Sequence, residues 1–186
     1  MQFSSVPLPK QEQLSPSIRA TLAQLPSLDI FLMLANVPAS FHPYLQLVKS
    51  LYNEGKFNPR LRQIAILRQA HLLQSLYEWH QQVFLSKANG VKDQEIKVIG
   101  SESPVVSLGE EENFICQVSD ELTLKAQLTD TTFQKLYERY SVELGTELIL
   151  CISYANMLGR FINATRIQIE KTNPLEGISS PMGKAC

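Results

Sequence analysis

The sequence contains little cysteine, and its cysteines form no recognisable pair. Three cysteines occur among 186 residues, and neither a Cys-x-x-Cys pair nor zinc-type Cys/His spacing is present. The three are Cys116, Cys151 and Cys186. An odd, widely separated set excludes a disulfide-stapled secreted domain and indicates a reducing compartment. We therefore predict no metal ion and no other cofactor.

An excess of charge of one sign and a long apolar run are also missing. Lys and Arg number 17 against 18 Asp and Glu, for a net charge of -1. This balance gives no reason to expect a nucleic acid or an anionic membrane as partner. The basic residues Arg60, Arg62 and Arg68 are predicted to form a solvated or salt-bridged helix face. Without a signal-peptide pattern or an apolar run of roughly 18 residues, we expect a soluble, cytoplasmic protein.

Strand alternation and hairpin turns are absent too, and helical patterns fill the chain between Pro and Gly residues. They predict an all-α fold of about eight helices in a single domain. The first helix is expected from Pro16, capped by Ser15, to about Leu25. Another helix is expected from Ser40 or Pro43 to Gly55, and a long apolar helix from about Val142 to Glu170. The predicted organisation is an extension (1–14), one domain (15–173) and a flexible tail (174–186).

The segment 59–89 has an uninterrupted helical pattern that starts at the capping residues Asn58 and Pro59. A single helix of about thirty residues would be long for a globular protein. We therefore predict a break near Gln74 and Ser75, and a helix end at Asn89 and Gly90.

Helical geometry divides the residues that follow this break into two faces. One face is apolar except for a histidine and contains Leu76, Trp79, His80, Val83 and Phe84. The other contains Ser75, Glu78, Gln82 and Leu85. Residues two apart on a helix point about 200° away from each other. Glu78 and His80 are therefore not expected to face one pocket unless the helix is irregular.

A family resemblance rests on three stretches, "FLMLANVPASF", "FNPRLRQIAILRQAHLL" and "YEWHQQVFLSKANGVKDQEI". They resemble the carboxymuconolactone decarboxylase family, which includes the alkylhydroperoxidase D-like proteins. The likeness continues through "LTDTTFQKLYERYS" and "ELILCISYANMLGRFINA", and Tyr-Glu-Trp-His is characteristic of one branch. The resemblance implies the alkylhydroperoxidase D-like helical fold and a homo-oligomer, as a dimer, trimer or hexamer. It also implies an active site buried near the subunit contacts.

The resemblance also identifies what this chain does not have. Peroxidase members carry two cysteines, a histidine and a glutamate where this sequence has Ser75, Glu78, Gln82 and Gln63. Thiol peroxidation needs one thiolate to attack the peroxide and a second thiol to resolve the sulfenic acid. Peroxiredoxin-type activity is implied by the family, but these replacements argue against it.

Decarboxylase members use no cysteine pair, and their chemistry requires a general acid in a dry pocket. We predict Glu78 and His80 as catalytic residues. The predicted substrate-binding residues are Gln63, His71, Ser75, Tyr77 and Gln82. Glu78 should lie in a partly apolar pocket, within hydrogen-bond reach of Gln63, His71, Gln82 or a neighbouring subunit.

Two functions remain open on this evidence. The first is a metal-free enzyme that transfers a proton on a small organic acid or lactone. The second is a non-catalytic oligomeric member of the family that serves in binding or as a scaffold. Simpler roles exist for individual residues, since Glu78 could serve the helix dipole and His80 could be an ordinary half-buried imidazole. Burial of Glu78 in an enclosed pocket would favour the enzyme.

Overall fold

The computed structural model describes residues 4–172 and 174–183, and its regular structure is helical throughout. The nine α-helices are α1 (Pro16–Leu22), α2 (Asp29–Leu34), α3 (Pro38–Lys49), α4 (Pro59–Leu72), α5 (Leu76–Ala88), α6 (Asp93–Ile99), α7 (Glu110–Lys125), α8 (Asp130–Arg139) and α9 (Val142–Thr165). A 3₁₀ turn (Gln11–Gln13) precedes α1, and a π-helical turn (Ser50–Glu54) follows α3. The all-α prediction is confirmed. Within the described residues no helix is long and apolar enough to span a membrane.

The capping residues start the helices where the sequence predicts. Ser15 accepts a hydrogen bond from the Ile18 amide, and Asn58 accepts from two amides at the start of α4. The predicted break near Gln74 and Ser75 is also present, because Gln74 adopts a left-handed conformation with φ of 52°. That residue separates α4 from α5 and turns the second helix back along the first.

The predicted long C-terminal helix ends earlier than expected, at Thr165 instead of Glu170. Arg166 takes a left-handed conformation with φ of 56°, which closes α9. The chain then extends, so that the Glu170 carboxylate accepts a hydrogen bond from the Asp29 amide at 2.7 Å. It also accepts from the Tyr77 hydroxyl and the Gln81 amide. These contacts with α2 and α5 take the place of further helical turns.

Helix α4 runs through the centre of the protein and packs against α5, α7 and α9. Every residue of 61–70 is buried, including Arg62 and Arg68. Arg62 and Arg68 are therefore not solvated, and for these two residues that part of the prediction is wrong. Arg68 is salt-bridged to Asp120, as is Arg60 to two glutamates. Because α4 is surrounded by other helices, its polar and charged side chains are buried along with its apolar ones. A buried charged group then needs hydrogen-bond or ionic partners within the protein.

The end of the chain was expected to be flexible from residue 174, but its described part, 174–183, packs on the body. Leu175 is fully buried in an apolar cluster with residues of α1, α2, α3, α5 and α9. The Ser180 hydroxyl donates to Asn53 at 2.6 Å, and the Asn89 amide donates to the Ser179 carbonyl at 2.8 Å. The segment 174–183 is rich in Gly, Ser and Pro, but the buried Leu175 side chain attaches it to the body of the protein. Cys186 lies outside the described residues.

Candidate active site

Helix α5 presents its polar face to the interior and its apolar face outward. Ser75, Glu78 and Gln82 are buried, whereas Leu76 is 74% exposed. The other four residues of the apolar face, Trp79, His80, Val83 and Phe84, are half-buried. The face that corresponds to the reactive residues of the peroxidase relatives is therefore the inner one.

A small cavity lies beside this inner face. Its walls come from α2, α3, the π-helical turn, α5, α9 and the C-terminal residues Leu175 and Pro181. Most wall residues are aliphatic or aromatic, and the polar or hydroxyl-bearing ones are Tyr44, Tyr52, Tyr77, Glu78, Gln81, Gln82 and Tyr154. The cavity has a volume of about 40 Å³. It is larger than one water needs but smaller than the roughly 150 Å³ cavity that admits benzene in another protein.

Glu78 is the only residue with a carboxylate that lines this cavity within the described chain. Its side chain is 2% exposed, and neither carboxylate oxygen makes a hydrogen bond of good geometry. Burial raises its pKa to about 8, and the neighbouring Gln69 and Ser75 lower it by less. The carboxyl group is therefore mostly protonated at neutral pH, as a general acid must be.

Gly159 on α9 provides the space for this carboxyl group. A β-carbon built there would lie 2.5 Å from the Glu78 Oε2 atom and 2.8 Å from the Gln69 Nε2 atom. Both distances are far inside van der Waals contact. The position of Glu78 therefore depends on a glycine 81 residues further along the chain.

Three tyrosines that sequence reasoning missed surround the same cavity. The Tyr44 hydroxyl donates to the Tyr154 hydroxyl at 2.9 Å. The ring of Tyr52 meets the ring of Tyr154 edge-on, with centroids 6.5 Å apart. Burial raises the pKa of all three phenols, and the Glu78 carboxylate contributes to each shift. All three therefore remain hydroxyl donors at physiological pH.

The predicted site residues divide into two groups. Tyr77 and Gln82 line the cavity with Glu78, and Ser75 is buried beside Glu78. The Tyr77 hydroxyl is engaged with Glu170 and with the Ile30 amide, which donates to it at 3.2 Å.

The other three predicted residues do not line the cavity. Gln63 is buried in α4, with no described partner for either amide atom. His71 is half-exposed against Trp79, with ring centroids 5.8 Å apart, and burial lowers its pKa. His80 packs on Phe84 at 5.5 Å. The carboxyl group and the imidazoles are thus not brought together.

The described cysteines occupy apolar surroundings. Cys116 and Cys151 are buried in different core clusters. Burial raises the pKa of each thiol to about 12, which disfavours the thiolate. Nor do His, Cys, Asp and Glu side chains of the described residues cluster as a metal site requires.

No family model and no curated protein matches the chain. Solved structures do match. A protein of unknown function from Agrobacterium tumefaciens, with a proposed AhpD-type antioxidant role, is 20% identical with a TM-score of 0.65. That match covers 73% of this chain and 93% of the other.

A second match is an uncharacterised peroxidase-related protein from Ralstonia eutropha, described as an alkylhydroperoxidase AhpD core. It is 14% identical with a TM-score of 0.79, over 95% of this chain and 97% of the other. Similarity at these identities shows the fold and leaves the activity open. The protein has the alkylhydroperoxidase D-like helical fold.

Proposed function

We propose that this protein is a metal-free enzyme that transfers a proton on a small organic acid or lactone, with Glu78 as the acid or base. One observation carries the proposal: Glu78 is a buried carboxyl group beside a largely apolar cavity, and no described residue gives it a cation or a well-formed hydrogen bond. Such a group costs stability, so a functional reason for its presence is favoured. The Tyr-Glu-Trp-His resemblance to decarboxylase members supports the same assignment.

The proposed step moves one proton. The neutral Glu78 carboxyl gives its O–H proton to a carbanion-like carbon of the substrate, and the O–H electron pair stays on the carboxylate. The carbon uses the electron pair of the C–C bond that breaks when carbon dioxide leaves. The carboxylate then regains a proton from water or from the next substrate. A pKa of about 8 suits this exchange near neutral pH.

Two other functions have less support. A scaffold needs no unpaired carboxyl group in its interior, and an apolar side chain or glutamine would fill the same space at lower cost. A thiol peroxidase needs a reactive thiol pair, but Ser75 and Glu78 occupy the corresponding positions. The names of the two structural neighbours therefore do not transfer their chemistry to this chain.

We also propose that the protein self-associates. Helix α9 exposes Val142, Leu150 and Met157, which are large apolar side chains on a surface that a partner copy would cover. Light scattering at micromolar concentration should give at least twice the chain mass. A mass near 21.0 kDa would contradict this.

The test of the enzymatic proposal uses a panel of β-keto acids and five-membered lactones in D₂O. Proton NMR follows deuterium exchange at carbon, and released carbon dioxide is measured in parallel. Glu78→Gln keeps the shape but removes the transferable proton, so it should abolish the exchange. Glu138→Gln, an exposed glutamate on α8, is the matched control and should retain full turnover. Exchange that persists in Glu78→Gln would show that another residue transfers the proton.

A further inference from the structure

The cavity beside Glu78 offers hydrogen-bond donors but no positive charge. None of the described residues in its wall is Lys, Arg or His. The buried Arg62 lies over the ring of Tyr52 at 4.8 Å and donates to the carbonyls of Leu51 and Tyr52. An ionised carboxylate in the cavity would thus be desolvated next to another acidic group, without a countercharge.

The Tyr44–Tyr154 pair has one hydroxyl hydrogen to spare. Two hydroxyl groups that share a single hydrogen bond use one O–H and leave the other free. Tyr44 is the donor in this bond, so the unused hydrogen belongs to Tyr154. No second partner for the Tyr154 hydroxyl occurs among the described residues, and the residue lines the cavity. Donation from Tyr44 polarises Tyr154 and strengthens it as a donor.

We infer that Tyr154, supported by Tyr44, binds the carbonyl oxygen of a neutral carbonyl compound, and that Glu78 acts on the carbon next to that carbonyl. The assignment of Glu78 rests on the proposed function, whereas the binding role of Tyr154 does not. The inference selects uncharged carbonyl compounds over ionised organic acids as ligands of this cavity. An apolar wall fits the uncharged body of such a molecule.

The chemistry of this arrangement balances without a further reactant. In its ionised form, the minor one at neutral pH, Glu78 takes a proton from the α-carbon, the C–H electron pair forms a carbon–carbon double bond, and the carbonyl π pair moves to oxygen. The enolate oxygen accepts the Tyr154 hydrogen bond, which is stronger to an oxyanion than to a carbonyl. Return of the proton from Glu78 to the α-carbon restores the carbonyl compound with that hydrogen exchanged.

Binding of two small probes tests the inference directly. Acetone and acetate are small enough for the cavity and have nearly the same shape, but only the second is charged. Titration with carbonyl-labelled acetone, followed by ¹³C NMR, should show a downfield shift on binding. At neutral pH acetone should bind roughly tenfold more tightly than acetate, since both can accept the Tyr154 hydrogen bond but only acetate carries the desolvation cost of a charge.

Variants then assign the donor. Tyr154→Phe should weaken ketone binding roughly five- to tenfold and reduce the shift of the bound carbonyl. Tyr44→Phe leaves the Tyr154 hydroxyl in place, so it should have a smaller effect. Tyr140→Phe is the control, because its hydroxyl bonds Glu111 and does not line the cavity. Circular dichroism confirms that each variant is folded.

The outcomes separate the two proposals. Equal acetone binding by Tyr154→Phe and the natural protein would overturn the inference, as would acetate binding at least as tightly as acetone. A natural protein that binds no ketone would also overturn it. Glu78→Gln should still bind the ketone while losing proton exchange. If Glu78→Gln instead keeps the exchange and Tyr154→Phe loses binding, the proposed role of Glu78 fails and the role of Tyr154 stands.

Discussion

Two ionisable residues, Arg68 on α4 and Glu78 on α5, are both buried within one helical hairpin, yet their surroundings differ. Arg68 is fully buried and has a partner for each guanidinium nitrogen: it pairs with Asp120 and donates to the carbonyls of Ile99 and Glu102, both at 2.8 Å. Glu78 is nearly as buried, but no cation pairs with it among the described residues.

The difference separates a structural charge from the group that we propose as catalytic. The contacts of Arg68 connect α4 to α7 and to the end of α6, so the residue stabilises the packing of three helices. Glu78 pairs with no cation among the described residues, and its carboxyl group lies near Gln69 and Ser75, beside a cavity. A buried charge with a complete set of partners supports a fold, whereas a buried carboxyl group without a countercharge lowers stability, which is why we propose a chemical role for it.

The largest expected effect comes from removing Arg68, which has a salt-bridge partner. Arg68→Met should lower the free energy of unfolding by about 3–5 kcal/mol, because it leaves Asp120 without a countercharge and two buried carbonyls without donors. Urea denaturation measures the change. Lys56→Met removes the exposed ion pair with Glu143 and should cost far less, because solvent screens that pair. Equal losses in the two variants would refute the structural role of Arg68.

Removal of the Glu78 carboxyl group should instead raise the free energy of unfolding, by an amount that depends on pH. The pKa of Glu78 is about 8 in the folded protein against an ordinary value of 4.5. The folded state therefore holds this proton more tightly than the unfolded state, and stability falls as pH rises from about 4.5 to about 8. The cavity phenols titrate above this window, since burial raises the pKa of Tyr44, Tyr52 and Tyr154.

Glu78→Gln removes this loss, so the variant should be roughly 2–4 kcal/mol more stable than the natural protein near pH 9. Near pH 5 the two should differ little. Denaturation curves at several pH values, with Glu138→Gln as control, measure the effect. A difference that does not change with pH would mean that the Glu78 carboxyl titrates normally.

The space on α9 that the Glu78 side chain occupies can be filled by a substitution at Gly159. Gly159→Ala places a methyl group where the Glu78 and Gln69 side chains lie, and overpacking of this kind costs about 1–3 kcal/mol. The cost should shrink when Glu78→Ala is combined with it, because the smaller side chain vacates the space. Denaturation of both single variants and the double variant gives the coupling energy. Strict additivity would show that the two residues do not compete for space.

Much of the fold could be predicted because its signals are local. Caps such as Ser15 and Asn58, and the break at Gln74 and Ser75, depend on neighbouring residues only. The end of α9 could not be predicted this way. It depends on the attachment of Glu170 to α2 and α5, and those contacts span more than 80 residues of sequence.

The site could be predicted in part for the same reason. Helical spacing and the family pattern identified Glu78 and its face, but neither reveals which face α5 buries. The tyrosines escaped notice because Tyr44 and Tyr154 lie 110 positions apart and meet only after α3 packs on α9. His80 was selected for its chemistry, but its position on the outer face keeps it from the cavity.

The smallest expected effect concerns the two buried thiols, each of which lies near a buried arginine. Arg68 contributes to the pKa of Cys116 and Arg62 to that of Cys151, but burial outweighs both and raises each value to about 12. Neither thiol is therefore ready to attack a peroxide. Replacing Cys116, Cys151 and Cys186 by alanine should leave organic hydroperoxide turnover with a dithiol reductant at the uncatalysed rate, the same as in the natural protein. The assay follows loss of hydroperoxide, with a Cys-x-x-Cys peroxidase as positive control. Turnover by the natural protein that vanishes in the cysteine-free variant would contradict this prediction, although Ser75 and Glu78 stand where peroxidase members carry their two cysteines. The resolving thiol would then have to come from another copy or from the reductant itself.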